Sequence, residues 1–437
     1  MRIWHSVTVA ALLCARDHAR AQTVALMAQA IPVVTRADPT AGPATLTEGY
    51  LSQPAVMAHA DWGWLRGVGT VNLEGLTLKR GELTTGGYGE GFVDRRHPHT
   101  YLHELLAGGE ASALGVRGSL FAGRGFAPFG SDDPMVRPFE KYPVNHHLSQ
   151  ILERVVAIVA LRKGPVIAEA GAFNGDEPTS PSSSPDFHRF GDSWAARATL
   201  LPLAGLELSG SVARVKSPEV RGGGGLDQRK QSLVARFDRR DAASWRYAMV
   251  EWAHTNERDR GITTTRLGSL LGEAAGCRAG VIAAARVERT DRPEEEQLAD
   301  PFRTPRPSVD LTNLGVSRWT TYTVSLSSRP LSAGWVSGRP FVEIARVFAE
   351  PGDPPGVFDA ERRYGSSHMW MLTAGIRLRA GSSHGRMGRY GVALADEGMM
   401  SMQGDGMMTM PMPGTDSHAA ESHMSHASPA SANLCAP

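Results

Sequence analysis

From residue 61 onward, the chain repeats segments of about ten residues in which small or apolar side chains alternate with polar or charged ones. Clusters of Gly, Pro, Asp and Ser separate the segments. Alternation with a period of two predicts β-strands. Twelve segments fit this pattern: Trp64–Leu73, Ala113–Phe121, Val155–Arg162, Val166–Phe173, Ser193–Leu201, Leu206–Val215, Gln231–Phe237, Trp245–Ala253, Gly280–Glu288, Ser317–Ser327, Arg339–Phe348 and Met369–Arg379.

The connections between these segments alternate in length. Short ones are Lys163–Pro165, Pro202–Gly205, Asp238–Ala243 and Arg329–Gly338. Long ones are Gly175–Asp192, Ser217–Lys230, His254–Cys277, Arg289–Asn313 and Ala349–Ser367. Short turns at one end and long loops at the other are typical of outer-membrane barrels. The pattern predicts an all-β protein, a transmembrane up-and-down antiparallel β-barrel of about 12 strands.

Single charges recur inside the predicted strands. They are Arg197, Glu207, Arg214, Arg236, Glu251, Arg286, Glu288, Glu343, Arg346 and Arg377. A water-filled lumen accepts such charges at little cost, whereas a packed core does not. The alternative is a large soluble all-β protein in which these positions face solvent.

The N-terminus has the pattern of a secretory signal. A largely apolar stretch follows Met1-Arg2 and leads to Ala19-Arg20-Ala21, which places small residues where signal peptidase requires them. We therefore expect a signal peptide over residues 1–21, with a retained anchor or a lipoprotein at Cys14 as alternatives. Residues 22–60 have no clear periodicity and predict an irregular periplasmic lead-in. The barrel is predicted over 61–394, and no later stretch is apolar enough for a membrane helix.

Composition and motifs limit the classes of partner and activity that fit this chain. The formal charge of +1 argues against nucleic acid. After signal removal only Cys277 and Cys435 remain, too few for a disulfide framework, so both are interpreted as incidental. The chain lacks a GxSxG elbow, an HExxH motif and a P-loop, which predicts that it is not an enzyme.

Three histidines lie close together in the chain: His97, His99 and His103. Imidazole nitrogens at this spacing suit a copper or zinc ion, with Asp94 or Glu104 completing the ligand set. The alternative is a hydrogen-bonded network in the lumen that holds an inward loop against the barrel wall.

The C-terminal residues 395–437 are predicted to be a disordered tail that binds metal. Half of the 16 methionines and three histidines lie in this polar, Gly- and Pro-containing stretch. Thioethers suit Cu(I), and imidazoles suit Cu(II) or zinc. The predicted ligands are Met399, Met400, Met402, Met407, Met408, Met410, Met412, His418, His423, Met424 and His426. A tail without any ligand is the alternative.

Four short sequences resemble a family of porin-like bacterial outer-membrane β-barrels of unassigned activity, often encoded near copper-resistance genes. They are Phe92–His99, Ala170–Pro178, Ala285–Arg289 and Gly388–Gly391. The resemblance covers most of the chain from Trp62 to Gly391 and implies a barrel. It carries over no catalytic residue.

The sequence thus predicts a porin-like barrel in the outer membrane of a Gram-negative bacterium, as a monomer or trimer, with lipid and metal ions or small solutes as partners. Copper is the one expected cofactor, and no organic cofactor is expected. The tail is placed in the periplasm if the strand number is even and the N-terminus is also periplasmic. The rival hypotheses are a soluble periplasmic copper-binding protein and an outer-membrane metal-dependent hydrolase.

Overall fold

Sixteen antiparallel strands dominate the computed structural model of the chain. The structure describes residues 23–39, 45–78, 82–84, 87–88, 99–178, 180–241, 244–294, 315–352, 359–381, 386–394 and 435. The strands are β1 Thr23–Asp38, β2 Leu46–Trp62, β3 Leu65–Asn72, β4 Leu102–Ala113, β5 Val116–Gly125, β6 Arg154–Lys163, β7 Val166–Phe173, β8 Ser193–Leu203, β9 Leu206–Val215, β10 Asp227–Asp241, β11 Ser244–Asp259, β12 Ile262–Arg278, β13 Val281–Glu294, β14 Gly315–Ser327, β15 Val336–Pro351 and β16 His368–Gly381.

The sheet closes on itself because the first strand pairs with the last. Val33 on β1 lies opposite Tyr50 on β2 and opposite Gly375 on β16. Every other strand pairs with its neighbours in the chain. Closure leaves no unpaired sheet edge. The predicted all-β, up-and-down antiparallel barrel is confirmed as a fold.

The predicted number of about 12 strands is wrong, because four strands were missed. β1 and β2 lie in the region predicted to be an irregular lead-in. β4 includes part of the polar histidine cluster, and β12 occupies most of the predicted loop His254–Cys277. The alternation of these segments is masked by Gly, Thr, Ala and Pro. Backbone pairing to two neighbours holds each of them in the sheet in spite of weak local preference.

Short turns join the strands at one end of the barrel, as the alternating connection lengths predict, but the connection between β11 and β12 at the other end is the two-residue turn Arg260-Gly261 and not the predicted long loop. Leu114-Gly115 and Ala279-Gly280 are two-residue turns in which all four residues have positive φ, from 52° to 84°. Such turns match the right-handed twist of the paired strands. β1 begins and β16 ends at this same short-turn end, because Thr23 pairs with Asp61 and Met27 with Gly381.

The polarity of the barrel is the reverse of that of a soluble protein. On β11, Glu251 faces inward and is 0% exposed, whereas its neighbours Val250 and Trp252 face outward and are 56% and 39% exposed. Leu233 and Leu270, which flank Trp252 on the adjacent strands, are 59% and 54% exposed. Apolar side chains therefore cover the outside, and charged side chains line the inside.

Eight of the ten charges predicted for the lumen face inward, and two do not. Arg214 on β9 is half-exposed and forms an ion pair with Asp227 on the outer face. Arg346 on β15 lies over the ring of Trp370, 4.3 Å from its centroid, also on the outer face. Both positions follow from the period of two, which the sequence interpretation did not apply to each charge separately.

The remaining elements are short. The helices are Glu74–Thr77, His146–Ser149 and Ala360–Tyr364, and the 3-10 turns are Pro134–Val136, Phe187–Arg189 and Gly391–Ala393. Two small strands, Leu83–Thr84 and Gly87–Tyr88, pair with each other, and Leu331–Ala333 pairs with β15. None of the helices in the described part of the chain has the length and apolarity to span a membrane.

The two cysteines outside the predicted signal are joined, which corrects their interpretation as incidental. Cys277, near the end of β12 beside the Ala279-Gly280 turn, forms a disulfide with Cys435. The bond spans 158 residues. Their distance in the sequence concealed the pairing, because only closure of the barrel places the inward face of β12 near the C-terminus.

Candidate functional site

The inner wall of the barrel carries paired charges. Arg197 on β8 donates to both carboxylate oxygens of Glu169 on β7, at 2.6 and 2.7 Å. Both side chains are almost fully buried. A guanidinium that meets a carboxylate with two parallel hydrogen bonds is held in a fixed orientation. The paired charged side chains of the wall are therefore held in fixed orientations.

The loop between β5 and β6, residues 126–153 and here called the inward loop, crosses the lumen. Wall carboxylates accept hydrogen bonds from its backbone. Glu343 on β15 accepts from the amides of Glu140 and Lys141, at 3.1 and 3.2 Å. Glu288 on β13 accepts from the amide of Val144 at 2.9 Å. These bonds fix the loop against the side of the barrel opposite to its own strands.

Wall cations hold the same loop through its carbonyl groups. Arg286 on β13 donates to the carbonyl of Lys141 at 2.7 Å, and Arg377 on β16 donates to the carbonyl of Phe139 at 3.0 Å. Within the loop, Gly130 approaches Ser149 so closely that a Cβ would lie 1.6 Å from the Ser149 carbonyl oxygen. Carboxylates and guanidiniums of the wall thus both hold the inward loop in place.

Lys141 is the most deeply enclosed cation of the inward loop. Its Nζ donates to Glu82 at 2.7 Å and to the hydroxyl of Tyr50, and it lies 3.5 Å from Glu140. Burial by itself lowers the pKa of Lys141, but the charges of Glu140 and Glu82 outweigh it and raise the pKa well above its ordinary value. Lys141 therefore remains charged.

A second segment, residues 386–394 and here called the C-terminal segment, also lies in the lumen. Arg386 donates through Nε and Nη2 to the two oxygens of Asp132 in the inward loop, both at 2.7 Å, and through Nη1 to Glu207 on β9 at 2.7 Å. Burial opposes the charge on Asp132, but the Arg386 guanidinium outweighs it and holds the pKa of that carboxyl well below its ordinary value. The C-terminal segment thus binds the inward loop and the wall together.

Two further side chains fix the C-terminal segment. Arg389 donates to Glu207 at 2.5 Å and to Glu169 at 3.3 Å. The Tyr390 hydroxyl donates to Glu104 at 2.7 Å and accepts from the amide of Phe126 at 3.0 Å. Sequence reasoning missed this role: the Gly388–Gly391 motif was noted only as part of the resemblance.

Two of the predicted histidine ligands meet carboxylates in the lumen. The Nδ1 of His99 lies 2.9 Å from Glu74, and the Nδ1 of His103 lies 2.6 Å from Glu153. Burial lowers the pKa of His99, but the hydrogen bond and charge of Glu74 outweigh it and raise the pKa. In return, burial raises the pKa of Glu74, and the contact with His99 outweighs that effect and lowers it.

The histidine cluster is thus a network of hydrogen bonds and ion pairs. Among the described residues, the Nε2 of His99 is buried without a hydrogen-bond partner, and the Nε2 of His103 lies 3.9 Å from the Asp133 carboxylate. The two ring centroids are 5.4 Å apart. Within the described residues, no group of three or more His, Cys, Asp or Glu side chains is arranged to hold a metal ion. His97 lies outside the described residues. Metal binding by His97, His99 and His103 stays a prediction.

The predicted tail ligands, from Met399 to His426, also lie outside the described residues. The chain on both sides of them is described. Residues 386–394 are bound in the lumen, and Cys435 is bound to the wall through Cys277. Copper binding by the tail therefore stays a prediction, for a segment whose two ends are fixed to the barrel.

No family model and no curated protein matches the sequence. Several solved structures have a similar shape. An anion-selective porin from Comamonas acidovorans is 10% identical, with a TM-score of 0.48, over 83% of this chain and 100% of that chain. OmpT from Vibrio cholerae, in its trimer form, is 9% identical, with a TM-score of 0.46, over 83% and 100%.

A third similar structure is OccK2 from Pseudomonas aeruginosa in complex with glucuronate. It is 9% identical, with a TM-score of 0.38, and the match covers 83% of this chain and 98% of that chain. At these values the likeness is one of general barrel shape. The functional conclusion therefore rests on the contacts and polarity of this chain.

Proposed function

We propose that the protein is an outer-membrane barrel of porin type that passes small polar or charged solutes through a lumen narrowed by two inserted segments. The inward loop and the C-terminal segment supply the narrowing. Paired carboxylates and guanidiniums along the wall provide water-like contacts for a polar solute. A protein that acts as a pore needs no nucleophile, which agrees with the prediction that it is not an enzyme.

The observation that carries the proposal is the reversed polarity. On the outer face of β11, the apolar residues Ala248, Val250 and Trp252, followed by the ring of His254 stacked on Trp252, lie between Arg246 and Asn256. Ten residues separate these two ends, which is about 33 Å along a strand. At a tilt of about 45°, that length corresponds to a band of about 23 Å, close to the apolar height of an outer-membrane barrel.

The lengths of the connections at the two ends of the barrel indicate its orientation in the membrane. Outer-membrane barrels have short turns on the periplasmic side and long loops outside. In that orientation both ends of the barrel sheet, and the disulfide between Cys277 and Cys435, face the periplasm. The C-terminal segment then enters the lumen from the periplasmic side, below the inward loop.

Two measurements test the pore. Outer membranes from cells that express the chain are isolated, and the protein is run on a gel in detergent with and without boiling. A closed barrel is expected to shift in mobility on heating. The purified protein is then added to planar lipid bilayers, where stepwise conductance is expected. A protein that fractionates without detergent and gives no conductance would contradict the proposal.

A second proposal, supported by the composition of the tail, concerns copper. We propose that the methionines and histidines between residues 399 and 426 bind copper on the periplasmic side. Soft thioethers and imidazoles in one segment accept both oxidation states of the metal. Leu394 and Cys435, the described residues on either side of this segment, are both held at the barrel.

The copper proposal is tested with a variant in which the metal ligands of the tail are replaced and Cys435 is kept. The eight methionines and three histidines between residues 399 and 426 are replaced by serine, and Cys435 is retained. Cu(I) and Cu(II) titrations of the full-length protein are expected to lose their tight sites in this variant. The matched control replaces His99 and His103 by asparagine. If only the control loses copper, the metal site lies in the lumen.

A further inference from the structure

The outer face of β10, β11 and β12 changes character in successive rows toward the loop end. The rows are, in order, Leu233–Trp252–Leu270, Gln231–His254–Gly268, Arg229–Asn256–Arg266 and Asp227–Arg258–Thr263. Each row is one step of two residues along the strands, about 7 Å. The surface therefore passes from apolar, through an aromatic and histidine step, to strongly basic over about 20 Å.

A cavity lies in the basic part of this face. Its volume is about 390 Å³, and it is lined by Arg229, His254, Asn256, Arg258, Thr263 and Arg266. The lining provides three guanidiniums, an imidazole, an amide and a hydroxyl, and no carboxylate. Below it, the Trp252 and His254 rings are stacked with centroids 6.0 Å apart and an interplanar angle of 7°. We here call this feature the basic cavity.

The guanidiniums of the basic cavity are not neutralised by the surrounding protein. Arg229 and Arg266 form no ion pair with any residue in the described part of the chain. Among the described residues, the Nε of Arg258 is buried without a hydrogen-bond partner, and its Nη2 donates to the carbonyl of Gly261.

Two acids lie beside the basic cavity, and both are engaged by other groups. Asp227 is bound by Lys216 at 3.0 Å and by Arg214 at 3.6 Å. Asp291 accepts from Arg318 at 2.8 Å and from the amide of Gly268 at 3.1 Å.

The short-turn end of the same strands shows a different arrangement. Arg239 and Arg246 face outward there and are more than half exposed. Both pair with Asp241, at 3.7 and 3.4 Å. Two arginines on the same two strands are thus compensated at one end of the apolar band, whereas the basic cavity at the other end is not.

We propose that the basic cavity binds the phosphate of a membrane lipid whose acyl chains lie along the apolar face below it. Guanidinium groups recognise phosphate through paired, charge-assisted hydrogen bonds. Leu233, Trp252 and Leu270 lie directly below on the same strands, so a lipid occupies both surfaces at once. This site rests on the proposed position in the membrane, and it is distinct from the lumen.

The test compares lipids that differ only in the phosphate. Phosphatidic acid and diacylglycerol with identical acyl chains are titrated against full-length protein in detergent, and binding is measured by native mass spectrometry. Wild-type protein is expected to bind phosphatidic acid and not diacylglycerol. In the double variant Arg229→Gln, Arg266→Gln, phosphatidic acid is expected to bind about tenfold more weakly, because two charge-assisted contacts are lost.

The matched control is Arg239→Gln, Arg246→Gln, which removes two arginines at the other end and is expected to leave lipid binding unchanged. Equal loss in both double variants, or equal binding of the two lipids, would overturn the site. Displacement of phosphatidic acid by inorganic phosphate at equal concentration would show a free-anion site instead. Heat-modifiable mobility and conductance, measured on the same variants, separate failure of this site from failure of the pore.

Discussion

Arg386 and Asp132, 254 residues apart in the chain, form a two-bond ion pair inside the barrel, with both hydrogen bonds at 2.7 Å. Arg386 belongs to the C-terminal segment and Asp132 to the inward loop. The two segments that narrow the lumen are therefore joined to each other as well as to the wall. Opening the lumen requires that this contact either moves as a unit or breaks.

Replacing Arg386 by Gln is expected to detach the C-terminal segment from the inward loop, while Arg389 and Tyr390 still hold it to the wall. Removal of Arg386 takes away both short hydrogen bonds of the buried Asp132 and leaves it only Arg236 and Arg389, each 3.7 Å away. The cost is therefore at most that of a broken buried pair, about 3–5 kcal/mol. The wall strands do not depend on this contact, so the barrel itself is expected to stay folded. Larger single-channel conductance in planar bilayers is the expected result.

The control for that variant is Arg362→Gln, because Arg362 is exposed and its ion pair with Asp359 lies outside the lumen. Its conductance is expected to equal that of the wild type. Asp132→Asn is expected to reproduce the effect of Arg386→Gln from the other side of the pair. Unchanged conductance in both lumen variants would show that the C-terminal segment does not limit flow.

The His99–Glu74 contact predicts a pH window of stability. His99 has a raised pKa, so its contribution is complete below its ordinary value of 6.5 and is lost as the pH rises through the raised value. Glu74 has a lowered pKa, so its contribution is complete above its ordinary value of 4.5 and is lost as the pH falls through the lowered value. The contact is therefore strongest between these two ordinary values.

Thermal unfolding in detergent as a function of pH measures this window. The difference in melting temperature between the wild type and His99→Asn is expected to be largest from pH 4.5 to 6.5 and to shrink on both sides. His188→Asn, at an exposed position in the loop after β7, is the control. A difference that is constant over the whole pH range would exclude the ionised pair.

An added charge on the outward face of β11 is expected to cost more free energy of unfolding in the middle of the apolar band than at its edge. Val250→Arg places a guanidinium in the middle of the apolar band and is expected to lower the free energy of unfolding by about 2–4 kcal/mol in lipid vesicles. Gln231→Arg, on the outer face in the row of His254 at the edge of the band, is expected to cost about 0–1 kcal/mol. Equal costs for the two variants would place the membrane boundary elsewhere.

The disulfide predicts how the cleaved tail behaves. A specific protease site is inserted between Pro413 and Gly414, and the folded protein is digested. On a non-reducing gel the C-terminal fragment is expected to stay attached through Cys277 and Cys435, and reductant is expected to release it. Cys435→Ser is expected to release the fragment without reductant. Release of the wild-type fragment without reductant would show that the two cysteines are not joined.

The predictions that held came from strands with clear alternation. Val166–Phe173 was placed at its observed ends, and the hairpin between Ser193 and Val215 was located within two residues. The four missed strands have Gly, Ala, Thr or Pro on one or both faces, so their polar and apolar positions hardly differ. Their place in the sheet is decided by pairing with neighbours that alternate more clearly.

The histidine region shows where local reasoning ends. The sequence brought His97, His99 and His103 together as candidate ligands, and it also offered a hydrogen-bonded network as the alternative. Glu74 and Glu153, which bind His99 and His103, lie 25 and 50 residues away from them and carried no local signal. Among the described residues, the contacts of His99 and His103 form the hydrogen-bonded network.

The sequence by itself indicated an antiparallel all-β protein of barrel type with alternating polar and apolar faces, because that pattern depends only on residues two positions apart. Only the tertiary structure decided the strand number, the inward course of residues 126–153, the C-terminal segment in the lumen, and the pairing of Cys277 with Cys435. These features depend on which strands become neighbours when the sheet closes, and closure brings together residues that no local pattern connects.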